Sequence, residues 1–413
     1  MNNEKKKTYK ENPADTAAGK WLDEQKELAP KRRIADRALL ISLALIIAVF
    51  GVLIFVLPSE DFSEEENRML APFPEFSIDS LVSGEFTAGI ASFYSDRFPV
   101  RNVFVGVKAY FEKLMLRAEN NGVIEGKDGY IIDRLEYTDG EYKTLETNLK
   151  AIKKFSATVE KDGFDCATVI LPRSIDVMTS KLPALYSTER SDSVWEKVTA
   201  LHPDAITLTD MLRDAADGGE YVWYKTDHHY TTLGAYYTYV SLAETLGYTP
   251  YPIEYFTKEV VSSEFFGTTY SSSGIKWAES DTVTLFRFDG DENFTVSYPD
   301  SSEASIKGFY VREYFDKKDK YSAFLGGNRA RTRISLDSED DRPKLLLIKD
   351  SFSHSLAPFL ALHFDIELVD LRYYNKSVSD LVTEISPDKM LVIYGIDTLA
   401  TSSEARRIIM GIK

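Results

Sequence analysis

Four short, mostly apolar runs constrain what most of this chain can fold into: Cys166–Leu171, Lys344–Ile348, Ile366–Leu371 and Met390–Tyr394. A strand with one face in water alternates apolar and polar residues, whereas an unbroken apolar run needs cover on both faces. Helical patterns separate most of the runs, one of them around residues 143–160, and Ala205-Ile206-Thr207-Leu208 adds a further short strand. That alternation specifies an α/β fold with a parallel sheet flanked by helices. Reactive groups in such sheets collect at the carboxyl ends of the strands. Pro172-Arg173, Ser351 and Leu371-Arg372 all occupy such ends. Residues 255–340 are different in character. Thr282–Phe286 and Phe294–Tyr298 are rich in β-branched and aromatic residues and lie among Gly, Ser and Asp, which predicts a β-rich insertion over the sheet edge.

A second constraint lies near the N-terminus. Ala38–Leu57 is an uncharged, mostly apolar run of twenty residues, about what ~30 Å of hydrocarbon requires. Lys31, Arg32, Arg33 and Arg37 precede it, and Glu60, Asp61, Glu64, Glu65 and Glu66 follow. The charge asymmetry places the N-terminus in the cytoplasm and the large C-terminal part outside the membrane. A cleaved secretory signal is the competing expectation, but the apolar run is long and no clear small-x-small site precedes Pro58. The expected order is a disordered cytoplasmic tail (1–37), a transmembrane signal anchor (38–57), a linker with a helical lead-in (58–120) and an α/β domain (121–413). In the lead-in, Phe86, Ile90 and Phe93, then Phe104, Val107, Phe111 and Leu114, repeat at helical spacing and read as ordinary core helices.

The net charge of −16 disfavours nucleic acid as a partner, since phosphate backbones attract basic surfaces. Cys166 is the single cysteine, so no intrachain disulfide forms.

The chemistry-bearing residues fall in two stretches. Lys225-Thr226-Asp227-His228-His229-Tyr230 puts two of the chain's five histidines beside an acid, and Lys349-Asp350-Ser351-Phe352 turns a strand directly into a helical pattern. A serine hydroxyl needs a base, and the base needs a group that fixes its tautomer. Asp227 and His229, two apart in extended chain, face the same way and supply that pair, with Ser351 as nucleophile. The helix after Ser351 leaves backbone N–H groups free for an oxyanion. Asp350-Ser351 also suits a helix cap. A metal site built from Asp227, the histidines and His354 is a third possibility, but it is short of ligands. No cofactor is implied.

These motifs resemble the DHHW protein family, which is similar to the SGNH-like domains of alginate O-acetylation proteins, where the corresponding motif is Asp-Thr-His-Trp. The likeness extends to Phe62-Ser63-x-x-Glu66-Asn67-Arg68, Asp96-Arg97-Phe98-Pro99, Asn121-Gly122-Val123-Ile124-x-Gly126, Lys349-Asp350-Ser351-Phe352 and Asp370-Leu371-Arg372-Tyr373. It implies an SGNH-hydrolase-like α/β sheet in permuted motif order, with Asp227-x-His229 ahead of Ser351. It also implies a serine O-acyltransferase or acetylesterase acting on cell-envelope or secreted polysaccharide. In that setting a membrane-bound O-acyltransferase is the expected acyl donor. Tyr230 stands in place of the family's Trp, and Lys349 where many SGNH serine motifs have Gly. Asn328, Arg173, Arg372 and Tyr373 are the candidates for oxyanion or substrate binding. The alternative is a non-catalytic carbohydrate-binding or assembly protein on the same scaffold, which Lys349 favours. Palmitoyltransferases with Asp-His-His-Cys need a cysteine where Tyr230 stands, and phosphoesterases with Asp-His-His need further aspartate motifs, so neither fits.

Overall fold

The computed structural model describes residues 17–57, 61–63, 68–134, 136–184, 186–338 and 341–411. These fall into two compact units, one within 1–62 and 69–101, the other within 63–68 and 102–413.

In the first unit a helix runs over Ala17–Val56. Its Glu24–Val56 portion is long and apolar enough to cross a membrane. The disordered tail expected over 1–37 lies outside the described residues up to position 16. From Ala17 onward the chain is helical, which corrects that boundary. Ala, Leu, Glu, Gln and Lys dominate residues 17–29 and are good helix formers, while Pro30 lies inside the helix and removes one of its hydrogen bonds. The helix Glu85–Asp96 follows, and the Asp96 carboxylate accepts from the Ala71 N–H at 2.8 Å. Glu66 and Asn67 of the expected linker motif lie outside the described residues.

The second unit is built on an eight-stranded sheet. Its strands are β1 (Cys166–Leu171), β2 (Ile206–Thr207), β3 (Phe294–Ser297), β4 (Ile306–Lys307), β5 (Arg331–Leu336), β6 (Lys344–Lys349), β7 (Asp365–Val369) and β8 (Lys389–Gly395), in the spatial order β4-β3-β5-β7-β6-β8-β1-β2. The strands from β7 across to β2 pair in parallel. β5, β3 and β4 are antiparallel to their neighbours. The sheet is therefore mixed, not wholly parallel. Half of the expected insertion extends the sheet itself, while Thr257–Phe265 and Asp281–Arg287 form a separate hairpin. Pairing direction depends on the distant partner strand, and the alternation of apolar residues does not encode it.

β6 sits at the centre, with Leu345, Leu346, Leu347 and Ile348 fully buried. Leu345 and Leu347 face a core shared with Ala235, Tyr236 and Tyr239 of the helix Thr232–Ser241 and Leu356 and Phe359 of the helix Ser353–Leu360. Leu346 and Ile348 face the opposite core with Leu145, Leu149, Ile152 and Phe155 of the helix Asp139–Lys161. That long helix starts at a reciprocal cap: the Thr138 side chain accepts from the Glu141 N–H, and the Glu141 carboxylate accepts from the Thr138 N–H at 2.6 Å. The lead-in helix Arg101–Leu114 buries only Gly106 and Ala109, while Phe104, Val107 and Phe111 are more than half exposed, so it is not the ordinary core helix expected.

The helix Thr232–Ser241 packs close to the chain before the histidines because position 234 lacks a side chain. A methyl group there would overlap the Val222 carbonyl oxygen and the Tyr230 Cβ. Gly234→Ala is therefore expected to destabilise by about 1–3 kcal/mol through overpacking, even though alanine is the better helix former by about 1 kcal/mol. A lower denaturant midpoint checks this, and an unchanged or raised midpoint contradicts it.

Candidate active site

The histidines sit at the tip of a tight loop. Trp223 and Tyr230 bridge antiparallel, the Thr231 N–H donates to the Val222 carbonyl at 2.9 Å, and the Thr231 hydroxyl caps the next helix at Gly234 N–H. From below, Asp281 of the hairpin grips the loop, accepting from the Lys225 N–H at 2.7 Å and the Thr226 N–H at 2.8 Å as well as from the Tyr221 and Thr226 hydroxyls. The loop presents Asp227 and His229 together, and β6 presents Ser351 at its carboxyl end. His229 Nδ1 lies 2.6 Å from Asp227 Oδ1, and His229 Nε2 lies 2.8 Å from Ser351 Oγ. A carboxylate at Nδ1 favours the tautomer with its proton there, leaving Nε2 as acceptor for the serine hydroxyl.

Asp227 is held for that task on all sides. Oδ1 also accepts from the His229 N–H at 3.0 Å, and Oδ2 accepts from the Thr268 N–H at 2.8 Å and hydroxyl at 3.1 Å. Burial penalises its charge, but the adjacent His228 and His229 and these hydrogen bonds outweigh that and hold its pKa below the usual carboxylate range. Asp350 anchors the nucleophile's turn: Oδ2 accepts from the Gly395 N–H and the Thr398 hydroxyl, both at 2.7 Å, and Oδ1 accepts from the Phe352 N–H at 3.2 Å. The Tyr230 hydroxyl donates to the Phe352 carbonyl at 2.9 Å.

The other expected residues divide. Arg372 forks onto Asp370 at 2.9 and 2.7 Å and donates to the Asn328 Oδ1 at 3.1 Å. Burial, with the Arg372 charge adding to it, holds the His228 pKa below its ordinary value. Asn328 is exposed and Tyr373 is 53% exposed, its ring under the Arg372 guanidinium. Arg173 is buried, with its guanidinium spent on Asp176 at 2.9 and 3.0 Å, so it builds the wall beside the strand ends and is not a free cation. Lys349 is buried at the end of β6, donating to His354 Nε2 at 2.7 Å and paired with Asp370 at 3.4 Å. Asp281, Thr268 and Tyr321, whose ring lies against His229, carry no local signal in the sequence; each reaches the site from the insertion.

Asp227, His228 and His229 bring one ligand atom each within 4.8 Å of one another, enough to consider a cation. His354, the further ligand considered from sequence, has its Nε2 engaged by Lys349. Asp227 and His229 are already bonded to each other, and His228 Nδ1 is 2.5 Å from the Thr268 hydroxyl. The donors serve one another more than a shared central point.

A half-buried acid, Asp397, lies just past β8 and accepts from the Tyr137 hydroxyl at 2.6 Å. Burial pushes its pKa up to about 7, against the opposing charge of Arg173 and the Tyr137 hydrogen bond. Because the folded value exceeds the unfolded one, folding retains a proton. That contribution is complete below about pH 4 and is lost as pH rises through about 7. Asp397→Asn, which keeps the acceptor for Tyr137, should flatten the fall in melting temperature between those limits and equal or exceed wild type above pH 7. Parallel melting curves for the two proteins across the range would contradict this.

Comparison with known proteins supports the same region. The family model for DHHW protein matches residues 141–369. Curated proteins described as probable alginate O-acetylase AlgJ are similar: that of Pseudomonas fluorescens is 23% identical over 40% of this chain and 44% of its own length. The Pseudomonas aeruginosa protein is 24% identical over 38% and 41%. The matched span is thus under half the length of these relatives. Among solved structures, a DHHW family protein from Eubacterium siraeum superposes with a TM-score of 0.58 at 21% identity, covering 70% of this chain and 96% of that one. Bacillus cereus PatB1, solved with a sulfonyl adduct, gives 0.55 at 18% identity over 68% and 98%.

Proposed function

This chain belongs to the DHHW protein family, and from that premise we propose that it is a membrane-anchored serine O-acyltransferase or acetylesterase acting on cell-envelope or secreted polysaccharide. The observation that carries the proposal is the unbroken relay from Asp227 through His229 to Ser351, with 2.6 and 2.8 Å links. Ser351 Oγ attacks the acyl carbonyl while His229 takes its proton. The tetrahedral oxyanion then faces the Ser351 N–H, which has no acceptor among the described residues, with the Asn328 amide as a further candidate donor. His229 returns the proton to the leaving group, freeing the alcohol or thiol of the donor and leaving an acyl-Ser351 ester. A sugar hydroxyl, or water in an esterase, attacks that ester with His229 again as base. The name of the AlgJ relatives, alginate O-acetylase, supports acetyl as the group and polysaccharide as the acceptor.

The apolar helix supports membrane attachment. The basic residues before the apolar run and acidic residues after it favour a cytoplasmic N-terminus and an extracytoplasmic catalytic unit. Acyl-CoA is a cytoplasmic donor, so a membrane-bound acyltransferase that passes the acyl group outward is the partner this arrangement calls for. Lys349, the feature that favoured a non-catalytic scaffold, has its ammonium bonded to His354 and paired with Asp370. It therefore lends that alternative little support.

The test uses the full chain in detergent with 4-nitrophenyl acetate, with and without added sugar oligomers. Ser351→Ala and His229→Ala are each expected to lower turnover by at least about a thousandfold while remaining folded. Acetyl recovered on the sugars identifies a transferase, and acetate alone an esterase. Equal turnover in wild type and both variants would remove the proposal.

A further inference from the structure

The insertion contributes one residue whose placement suits the chemistry better than it suits packing alone. Tyr321, in the short turn Tyr321–Ala323, is buried in a small core with Tyr224, Phe265, Leu285 and Phe324. Its ring lies flat on the imidazole of His229, with centroids 3.9 Å apart and planes 12° apart. Its hydroxyl lies 3.1 Å from the Ser351 carbonyl oxygen and 3.1 Å from the Ser355 hydroxyl. Burial pushes the phenol's pKa far up, so the hydroxyl stays protonated and able to donate.

We propose that Tyr321 is a positioning residue that fixes the plane of the His229 imidazole and ties that plane to the backbone of the nucleophile. The proposal rests on the acyl-transfer reading of the site. His229 must exchange protons with two oxygens in turn, that of Ser351 and that of the leaving group. Asp227 fixes the ring at Nδ1 only, about which the imidazole can still pivot. Phe352 meets the ring on edge at 4.9 Å, and Tyr321 covers its face. The His228 ring also meets it, tilted by 38° with centroids 3.8 Å apart, so Tyr321 is the ring that lies flat on the imidazole while Nε2 bonds Ser351.

The ring of His354 lies 6.4 Å from that of Tyr321 and nearly parallel to it, and its Nε2 accepts from Lys349. Burial and the Lys349 charge hold His354 well below its ordinary pKa, so it stays neutral and adds no charge opposing a protonated His229. Lys349, at the position where many SGNH serine motifs have glycine, thus holds the His354 ring that neighbours the tyrosine.

The experiment compares wild type, Tyr321→Phe, Tyr321→Leu and Ser351→Ala as full chains. Steady-state kinetics use 4-nitrophenyl acetate, inactivation uses phenylmethylsulfonyl fluoride, and NMR of histidine-labelled protein follows the downfield His229 Nδ1 proton. Tyr321→Leu is expected to lower kcat by about 100-fold with KM within about twofold, and phenylalanine, which keeps the stack, recovers most of the loss. The Nδ1 proton should be sharp in wild type and Tyr321→Phe, and broadened by exchange in Tyr321→Leu. Wild-type kcat in Tyr321→Leu, a KM rise that accounts for its whole loss, or a sharp proton in that variant each overturns the proposal. Should the leucine variant not fold, absence of the sharp proton from folded wild type overturns it equally. If wild type is inert to both reagents, the acyl-transfer reading fails, while the Nδ1 proton, which requires no turnover, still decides the role of Tyr321.

Discussion

The hydrogen bond between His229 Nε2 and Ser351 Oγ joins residues 122 positions apart in the chain, and the structure around it keeps those two atoms 2.8 Å from each other. Neither side could hold the distance alone. Ser351 is fixed because β6 is covered on both faces and because Asp350, the residue after its last strand position, is bonded to the neighbouring strand end at Gly395. His229 is fixed because its loop is short, bridged at Trp223 and Tyr230, and gripped by Asp281. Buried carboxylates do most of this holding. Each accepts several hydrogen bonds, and a buried charge is stable only on such terms.

The insertion thus has a structural role beyond closing a sheet edge. From one excursion it sends Asp281 beneath the loop, Thr268 to the second oxygen of Asp227, and Tyr321 onto the imidazole. A cluster around Tyr224, Phe265, Leu285 and Phe324 packs this excursion against the chain just before Asp227. The hairpin and the histidine loop are therefore packed and hydrogen-bonded to each other.

The parts legible in the sequence were those with a local physical signature. Cys166–Leu171 is a strand at those bounds, and Lys344–Ile348 and Met390–Tyr394 lie within strands one residue longer at one or both ends, because unbroken apolar runs can only be buried. Asp227, His229 and Ser351 were marked by residue type and by resemblance, and the structure places them together. What stayed hidden was non-local. The antiparallel pairing of β3 and β5 leaves no trace in Phe294–Ser297 or Arg331–Leu336. Tyr321 lies in an ordinary polar stretch, and only the folded chain brings it to His229. Arg173 illustrates the opposite failure: a strand-end arginine looks available in sequence, but three residues on lies the aspartate that takes its guanidinium.

The most direct measurement of the central claim is mass spectrometry of the protein quenched in acid during turnover of an acetyl ester. The relay described here predicts one added acetyl group on the peptide that contains Ser351, absent in Asp227→Asn under the same brief exposure. An acetyl group confined to other residues, or no covalent species while the ester is being consumed, would contradict the assignment of Ser351 as nucleophile.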